Sequence, residues 1–203
     1  AFVDQGRVRL QSSRMHDVTT TYPELGGLAT GVHAGTAILD AELVVLDDTG
    51  RPRFDLVQRH AGPAVLFCFD VLRVGDHDTI ELPYEDRRRL LEQLVEPGDH
   101  WSVPGFRVGD GAALLAATAE QGLAGVMAKR LGSTYVPGKR SANWRKVKNR
   151  QRVEVVIGGF TAGEGNRSGA FGALLVGRCD DDDRLVFAGG VGTGFDHKRL
   201  ESL

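Results

Sequence analysis

The chain has 203 residues, 41% hydrophobic and 26% charged, with a formal net charge of -2 at pH 7. That is the composition of an ordinary globular protein of one medium domain or two small ones, and the near-neutral balance argues against a protein that coats nucleic acid indiscriminately. No apolar run is long enough to span a bilayer, no signal-peptide pattern opens the chain, and Cys68 and Cys179 lie far apart without zinc-binding spacing.

AFVDQGRVRLQSS reads as a hairpin, with Asp4-Gln5-Gly6 at the turn and Val8 and Leu10 alternating with Arg7, Arg9 and Gln11. A domain seldom begins inside a hairpin, so further sequence is expected upstream. Pro23, preceded by Thr20 and Thr21, predicts a helix start with a threonine cap. TAILDAELVVLDDTGRPRFDLVQ predicts a strand, a turn at Asp47-Asp48-Thr49-Gly50, and a second strand. Asp40 and Glu42 interrupt its apolar run. Carboxylates inside a buried strand need a partner, a hydrogen bond or a metal, although surface alternation also accounts for them. AVLFCFDVLRV predicts another buried strand, with Phe67 and Phe69 on one face and Asp70 at its end. YEDRRRLLEQLV predicts an amphipathic helix with Leu90, Leu91, Leu94 and Val95 inward and Arg87, Arg88 and Arg89 on the solvated face. A short strand-like piece, WSVPGFRV, precedes a helix, DGAALLAATAEQG, that ends at Gly122.

The most informative stretch runs from Ala124 to Arg152. Its basic residues from Lys139 onward are Lys139, Arg140, Arg145, Lys146, Lys148, Arg150 and Arg152, with no acid among them. In a strand, Trp144, Lys146 and Lys148 share one face and Arg145 and Val147 the other. Two neighbouring ammonium groups repel unless an anion lies between them, and a phosphate meets that need. A solvated strand edge protected by lysines is the other reading of the same pattern.

After Arg152, three β-rich segments at about 153–161, 170–178 and 184–191 suggest part of a small antiparallel barrel. Three strands and a helix start at Asp196 do not close one, so further sequence is expected downstream too. The loop from Gly163 to Gly169 joins strand to strand and is no dinucleotide fingerprint. Arg167 within it is a candidate phosphate contact, and Asp180 to Asp183 reads as a solvated turn.

Taken in order, these segments resemble the ATP-dependent DNA ligases within the covalent nucleotidyltransferases, and look closest to the bacterial end-joining branch of ligase D and ligase C type. QSSRMHDVT resembles the segment carrying the family's Ser-Arg pair, here Ser13-Arg14. LDAELVV resembles the Asp-Gly-Glu strand, with Glu42 at the glutamate, and LFCFDVL the aromatic strand, with Phe69 at the ring that stacks on adenine. LAGVMAKR resembles the Glu-Gly-Val-Met strand, WRKVK the Lys-x-Lys strand, and EVVIGGFTAGEGNRSGAFGALLVG the opening of the ligase OB domain.

The resemblance implies an α+β architecture. An antiparallel-sheet nucleotidyltransferase (adenylation) domain, ATP-grasp-like, would span residues 1–151 without its N-terminal lysine motif. The N-terminal part of an OB-fold β-barrel would follow over 152–203, hinged near Gln151-Arg152. It implies an ATP-dependent DNA ligase joining a 5′-phosphate to a 3′-hydroxyl through lysine-AMP and DNA-adenylate intermediates, in repair, recombination and non-homologous end joining. ATP with Mg2+ or Mn2+ would be the cofactors. Nicked or broken duplex DNA and an end-binding protein would be the partners of a monomer in the bacterial cytoplasm, at the nucleoid. Lys146, Lys148 and Glu42 take the catalytic roles. Phe69, Glu42, Met127, Lys146 and Lys148 hold the nucleotide, and Glu42 holds the metal. Arg14, Arg150, Arg152 and Arg167 contact DNA.

The chain departs from the family pattern in three ways. None of Lys129, Lys139, Lys146, Lys148 or Lys198 stands in the Lys-x-Asp-Gly context of the nucleophile, which is expected just upstream of Ala1. The family's strand-four glutamate is Ala124, and the glycine before Glu42 is Ala41. The C-terminal basic motif is not reached. Two further readings therefore stand beside the ligase: a catalytically degenerate module that binds DNA ends, and an RNA ligase or capping-type nucleotidyltransferase.

Overall fold

In the computed structural model, which describes residues 1–149 and 153–195, the first hairpin forms where its turn residues dictate. Strands β1 (Phe2–Asp4) and β2 (Arg7–Arg9) are joined by Gln5 and Gly6, at φ 43° and 81°. Two central residues at positive φ give the primed turn whose twist matches the flanking strands. β1 pairs next with β3 (Thr36–Val45), which pairs with the long β4 (Ala64–Val74). The short β5 (His77–Asp78) and β6 (Trp101–Ser102) add to β4, the latter in parallel.

Register assigns the two faces of this sheet. Val45 opposes Ala64, Leu43 opposes Leu66, Ala41 opposes Cys68 and Leu39 opposes Val71, and these side chains point into the core. They meet Leu25, Leu28 at the head of α1 (Leu28–Gly31), and Leu91 and Leu94 of α3 (Tyr84–Leu94). Side chains such as Leu91, fully buried here, each contribute about 1.5–3 kcal/mol by leaving water. The opposite face carries Asp40 and Glu42, with Asp70 and Phe67 as their cross-strand partners. Between those two pairs the register slips by one residue, so Phe69 opposes nothing on β3 and forms a bulge.

Three expectations change. The stretch after Asp47-Asp48-Thr49-Gly50 is not a strand: its return is a single bridge from Leu46 to Pro52, and the chain then winds into α2 (Phe54–Arg59). Proline offers no N–H to continue a ladder, and Asp55 in the first turn favours a helix. No threonine caps the turn at Pro23–Gly27, because its N-cap position falls on Tyr22, beyond Thr20 and Thr21, and no side chain caps it. Arg87 and Arg88 are buried rather than solvated, at 0% and 4% exposure. Arg87 falls four and seven residues before Leu91 and Leu94, on the same helical face, and it has a partner there.

α4 (Gly111–Glu120) begins with Asp110 Oδ1 accepting from Ala113 N at 3.0 Å and ends ahead of Gly122, at φ 70°. β7 (Gly125–Lys129) and β8 (Trp144–Lys148) then form an antiparallel ribbon. The chain divides into two units, Ala1–Asn149 and Arg150–Leu203. In the second, β9 (Val156–Ala162), β10 (Phe171–Cys179) and β11 (Leu185–Val191) make an antiparallel sheet in the order β11-β10-β9. Among the described residues no sheet closes on itself. The hinge at Gln151-Arg152 and the helix start at Asp196 lie outside the described residues. No described helix is long and apolar enough to cross a membrane.

Candidate functional site

Cross-strand register builds one face of the β7–β8 ribbon. Gly125 opposes Lys148, Met127 opposes Lys146 and Lys129 opposes Trp144, and directly opposed residues project to the same side. That face overlooks a cleft of about 760 Å³, lined by Met127, Trp144, Lys146 and Lys148 and by the loop residues Thr134 to Val136 and Gly138 to Ser141. The volume suits a small organic ligand. Lys139, Arg140, Lys146 and Lys148 all line it, and no acid does, so the ligand it favours is an anion. Gly125 lets the strands approach this closely. Its φ is 136°, and a Cβ there would run into the Val147 carbonyl oxygen and come within 2.8 Å of Lys148 Cα.

Beneath the ribbon lies an aromatic cluster centred on Trp144. Tyr135, Tyr84 and Phe69 meet the Trp144 ring edge-on, at centroid distances of 5.5, 6.1 and 6.4 Å. The Lys129 ammonium sits among them, 3.8 Å from the Trp144 centroid, 4.5 Å from Phe69 and 4.6 Å from Tyr84, and donates to the Phe69 carbonyl at 3.4 Å. Burial lowers its pKa to about 8, against the attraction of Asp70 and Asp40. Tyr135 donates its hydroxyl proton to Asp40 Oδ2 at 2.8 Å. Burial raises the Asp40 pKa, opposed by that hydrogen bond. Burial, followed by the charge of Asp40, pushes the Tyr135 phenol well above its usual range.

A buried ion pair holds the loop side of the cleft. Arg87 on α3 grips Asp70 on β4 with both ends of its fork, Nε to Oδ1 at 2.8 Å and Nη2 to Oδ2 at 2.9 Å, and both side chains are fully buried. Its Nη1 donates to the carbonyls of Leu82 at 2.5 Å and Ser133 at 3.1 Å. Ser133 stands next to Thr134, where the cleft lining begins, and two residues on Tyr135 N donates to the Ile80 carbonyl at 2.8 Å. One guanidinium thus ties strand, helix and cleft loop together.

Of the residues singled out from the sequence, Met127, Lys146 and Lys148 line the cleft. Phe69 does not: its bulge places the ring against Trp144 and Lys129. Glu42 is exposed, on the sheet face that carries Asp40, and is also outside the lining. Arg14 stands exposed at the tip of a loop closed by the Gln11–Asp17 bridge. Arg167 Nη1 donates to its own unit's carbonyls, Gly192 at 2.7 Å and Gly172 at 3.4 Å. Arg150 and Arg152 lie outside the described residues. Among the described residues no three His, Cys, Asp or Glu side chains gather to hold a metal ion, and Ala124 offers only a methyl. Among the described residues there is therefore no metal cage, and Glu42 stands as a single carboxylate. Sequence reading missed Lys129, Tyr135, Tyr84 and Arg87. The first had a signal, since it alternates with Met127 on β7.

The family model for the ATP dependent DNA ligase domain matches residues 1–148. The multifunctional non-homologous end joining protein LigD of Mycobacterium bovis is 42% identical over 202 residues, covering 98% of this chain and 26% of the relative. LigD of Pseudomonas aeruginosa is 37% identical over 210 residues, covering 99% of this chain and 25% of the relative. Among solved structures, mycobacterial DNA ligase D complexed with ATP and MES superposes with a TM-score of 0.68 at 38% identity, over 99% of this chain and 65% of that one. The chain spans about a quarter of the length of these two LigD relatives.

Proposed function

Since the chain belongs to the ATP-dependent DNA ligase family, we propose that the cleft on the β7–β8 ribbon binds ATP and that the protein seals breaks in duplex DNA during end-joining repair. The observation that carries this is the convergence of Lys146, Lys148 and Met127 on one cleft whose lining includes Lys139, Arg140, Tyr135 and Trp144 and no acid. Alternate residues of one strand stand roughly 6.5–7 Å apart. Lys146 and Lys148 are therefore spaced to flank a single phosphate from the same side.

The family reaction makes three displacements at phosphorus. A lysine nitrogen attacks the α-phosphorus of ATP and expels pyrophosphate. An oxygen of the DNA 5′-phosphate then displaces the lysine, and the 3′-hydroxyl oxygen finally displaces AMP. Negative charge sits on the non-bridging oxygens at every step, and fixed cations offset it there. Lys146 and Lys148 supply that offset, Met127 and Trp144 give the base an apolar wall, and Tyr135 and Arg87 hold the wall in place. A divalent cation would neutralise further phosphate charge. This chain offers it Glu42, and the phosphates themselves would provide most other ligands. We assign Ala1–Asn149 to the adenylation domain and the sheet β9–β11 to the opening of an OB fold. We further assign Arg14 and Arg167 to DNA phosphates, and propose a monomeric cytoplasmic protein recruited by an end-binding partner.

Incubating the full-length protein with α-³²P-labelled ATP tests this reading. A label that survives denaturation on the protein and passes to nicked, 5′-phosphorylated DNA supports it; no adduct together with no sealing refutes it. Ala124 favours a second reading, a module that binds DNA ends without sealing them. Ala124→Glu separates the two. A large gain in sealing identifies an enzyme lacking one ligand, whereas unchanged DNA affinity with no activity identifies a binder.

A further inference from the structure

We propose that Lys129 is a positioning residue for the nucleobase: it is a strut from the ribbon to the Phe69 bulge that fixes the aromatic wall of the cleft, and it is not a phosphate ligand. This deepens the nucleotide reading and rests on it. Lys129 shares the ribbon face with Met127, Lys146 and Lys148, so the plain expectation is a third phosphate-binding lysine. Its geometry says otherwise. The cleft lining does not include it; the ammonium is packed against the rings of Trp144, Phe69 and Tyr84 at 3.8 to 4.6 Å.

What it grips explains why a cation is there. The bulge leaves Phe69 without a partner on β3, and Lys129 donates to the Phe69 carbonyl. A bulge re-aims a side chain at the cost of local pairing, and this contact ties the displaced residue back to the other sheet. The same ammonium lies over the Trp144 ring, which does line the cleft. Like the Tyr135–Asp40 hydrogen bond, it is a polar link between the cleft side of unit 1 and the β3–β4 face. Removing it frees Trp144 and Phe69 to reorient, so the base loses its platform while the phosphate site at Lys146 and Lys148 stays intact.

Calorimetric titrations of this chain with ATP, adenosine and inorganic tripolyphosphate test the assignment. Lys129→Met is expected to weaken ATP and adenosine by a common factor of about tenfold, the loss of more than one cation–π contact, and to leave tripolyphosphate as in the wild type. Lys146→Met is expected to show the converse, losing ATP and tripolyphosphate but not adenosine. Lys129→Arg, which keeps a cation and a donor, should recover most of the adenosine affinity, and the emission of Trp144 should shift in Lys129→Met only. If Lys129→Met does not fold, Lys129→Gln takes its place, with the same adenosine-selective loss expected. Loss of tripolyphosphate along with adenosine would make Lys129 a phosphate ligand and overturn the proposal, as would wild-type affinity for all three probes. A wild-type chain that binds neither ATP nor tripolyphosphate would bring down the nucleotide reading itself, a result distinct from either.

Discussion

Replacing Arg87 by methionine should unfold the first unit far more readily than any surface substitution. The change removes the bidentate pair with Asp70 and both carbonyl contacts, to Leu82 and Ser133, from a fully buried site. Breaking one side of a buried ion pair costs about 3–5 kcal/mol, because the remaining charge has neither water nor a partner. At roughly 2–4 °C per kcal/mol for a chain of this size, that is a fall in Tm of about 6–20 °C. Urea and thermal unfolding followed by tryptophan emission measure the loss and the shift, since Trp101 and Trp144 both lie in the first unit. A double variant, Asp70→Leu with Arg87→Leu, removes both charges and should regain most of the loss. A cost below about 1 kcal/mol for Arg87→Met, or a double variant no better than the single one, would show that the pair does not brace the fold as argued.

Gly125→Ala should cost about 1–3 kcal/mol in backbone strain alone, with the clash against the Val147 carbonyl added. Its ATP affinity should fall as Lys146 and Lys148 are displaced, which calorimetry would show. Asp40→Asn tests the electrostatics of the sheet face. The folded Asp40 carboxyl holds its proton more tightly than the unfolded one. Its contribution to stability is therefore greatest at low pH and falls as pH rises from the unfolded value of 3.8 through the folded pKa. Urea midpoints at pH 4 and pH 7 should show wild type gaining on Asp40→Asn upon acidification; a difference independent of pH would contradict the argument. Arg14→Ala should weaken nicked-DNA binding uniformly across sequences and reduce the salt slope by about one, and an unchanged slope would remove Arg14 from the DNA interface.

The elements that could be read from the sequence are those whose pattern is local. The turn at Gln5-Gly6, strands β3 and β4, and the alternation of Trp144, Lys146 and Lys148 all follow from spacing within a few residues, and all are present. What went unread depends on partners far along the chain. Arg87 looked solvated because arginine usually is, yet it falls on the stripe of Leu91 and Leu94 and meets Asp70, seventeen residues earlier. The placement of Phe69 turned on a one-residue slip between β3 and β4, which no hydrophobic period reveals. The return strand after Gly50 failed because Pro52 ends the ladder. The Lys-x-Lys pair was legible both as alternation and as a family motif, while the ring cluster that supports it was not, since Tyr84, Tyr135 and Trp144 are assembled from separate segments.

The contacts that join the ribbon to the sheet close very long stretches of chain. Tyr135 reaches back 95 residues to Asp40, and Lys129 reaches back 60 to Phe69, whereas the β1–β2 turn is closed by neighbours. Loop-closure entropy delays such distant encounters relative to local ones. A refolding molecule should therefore own its hydrophobic interior before it owns a finished binding surface, and nucleotide competence should be the last property it acquires.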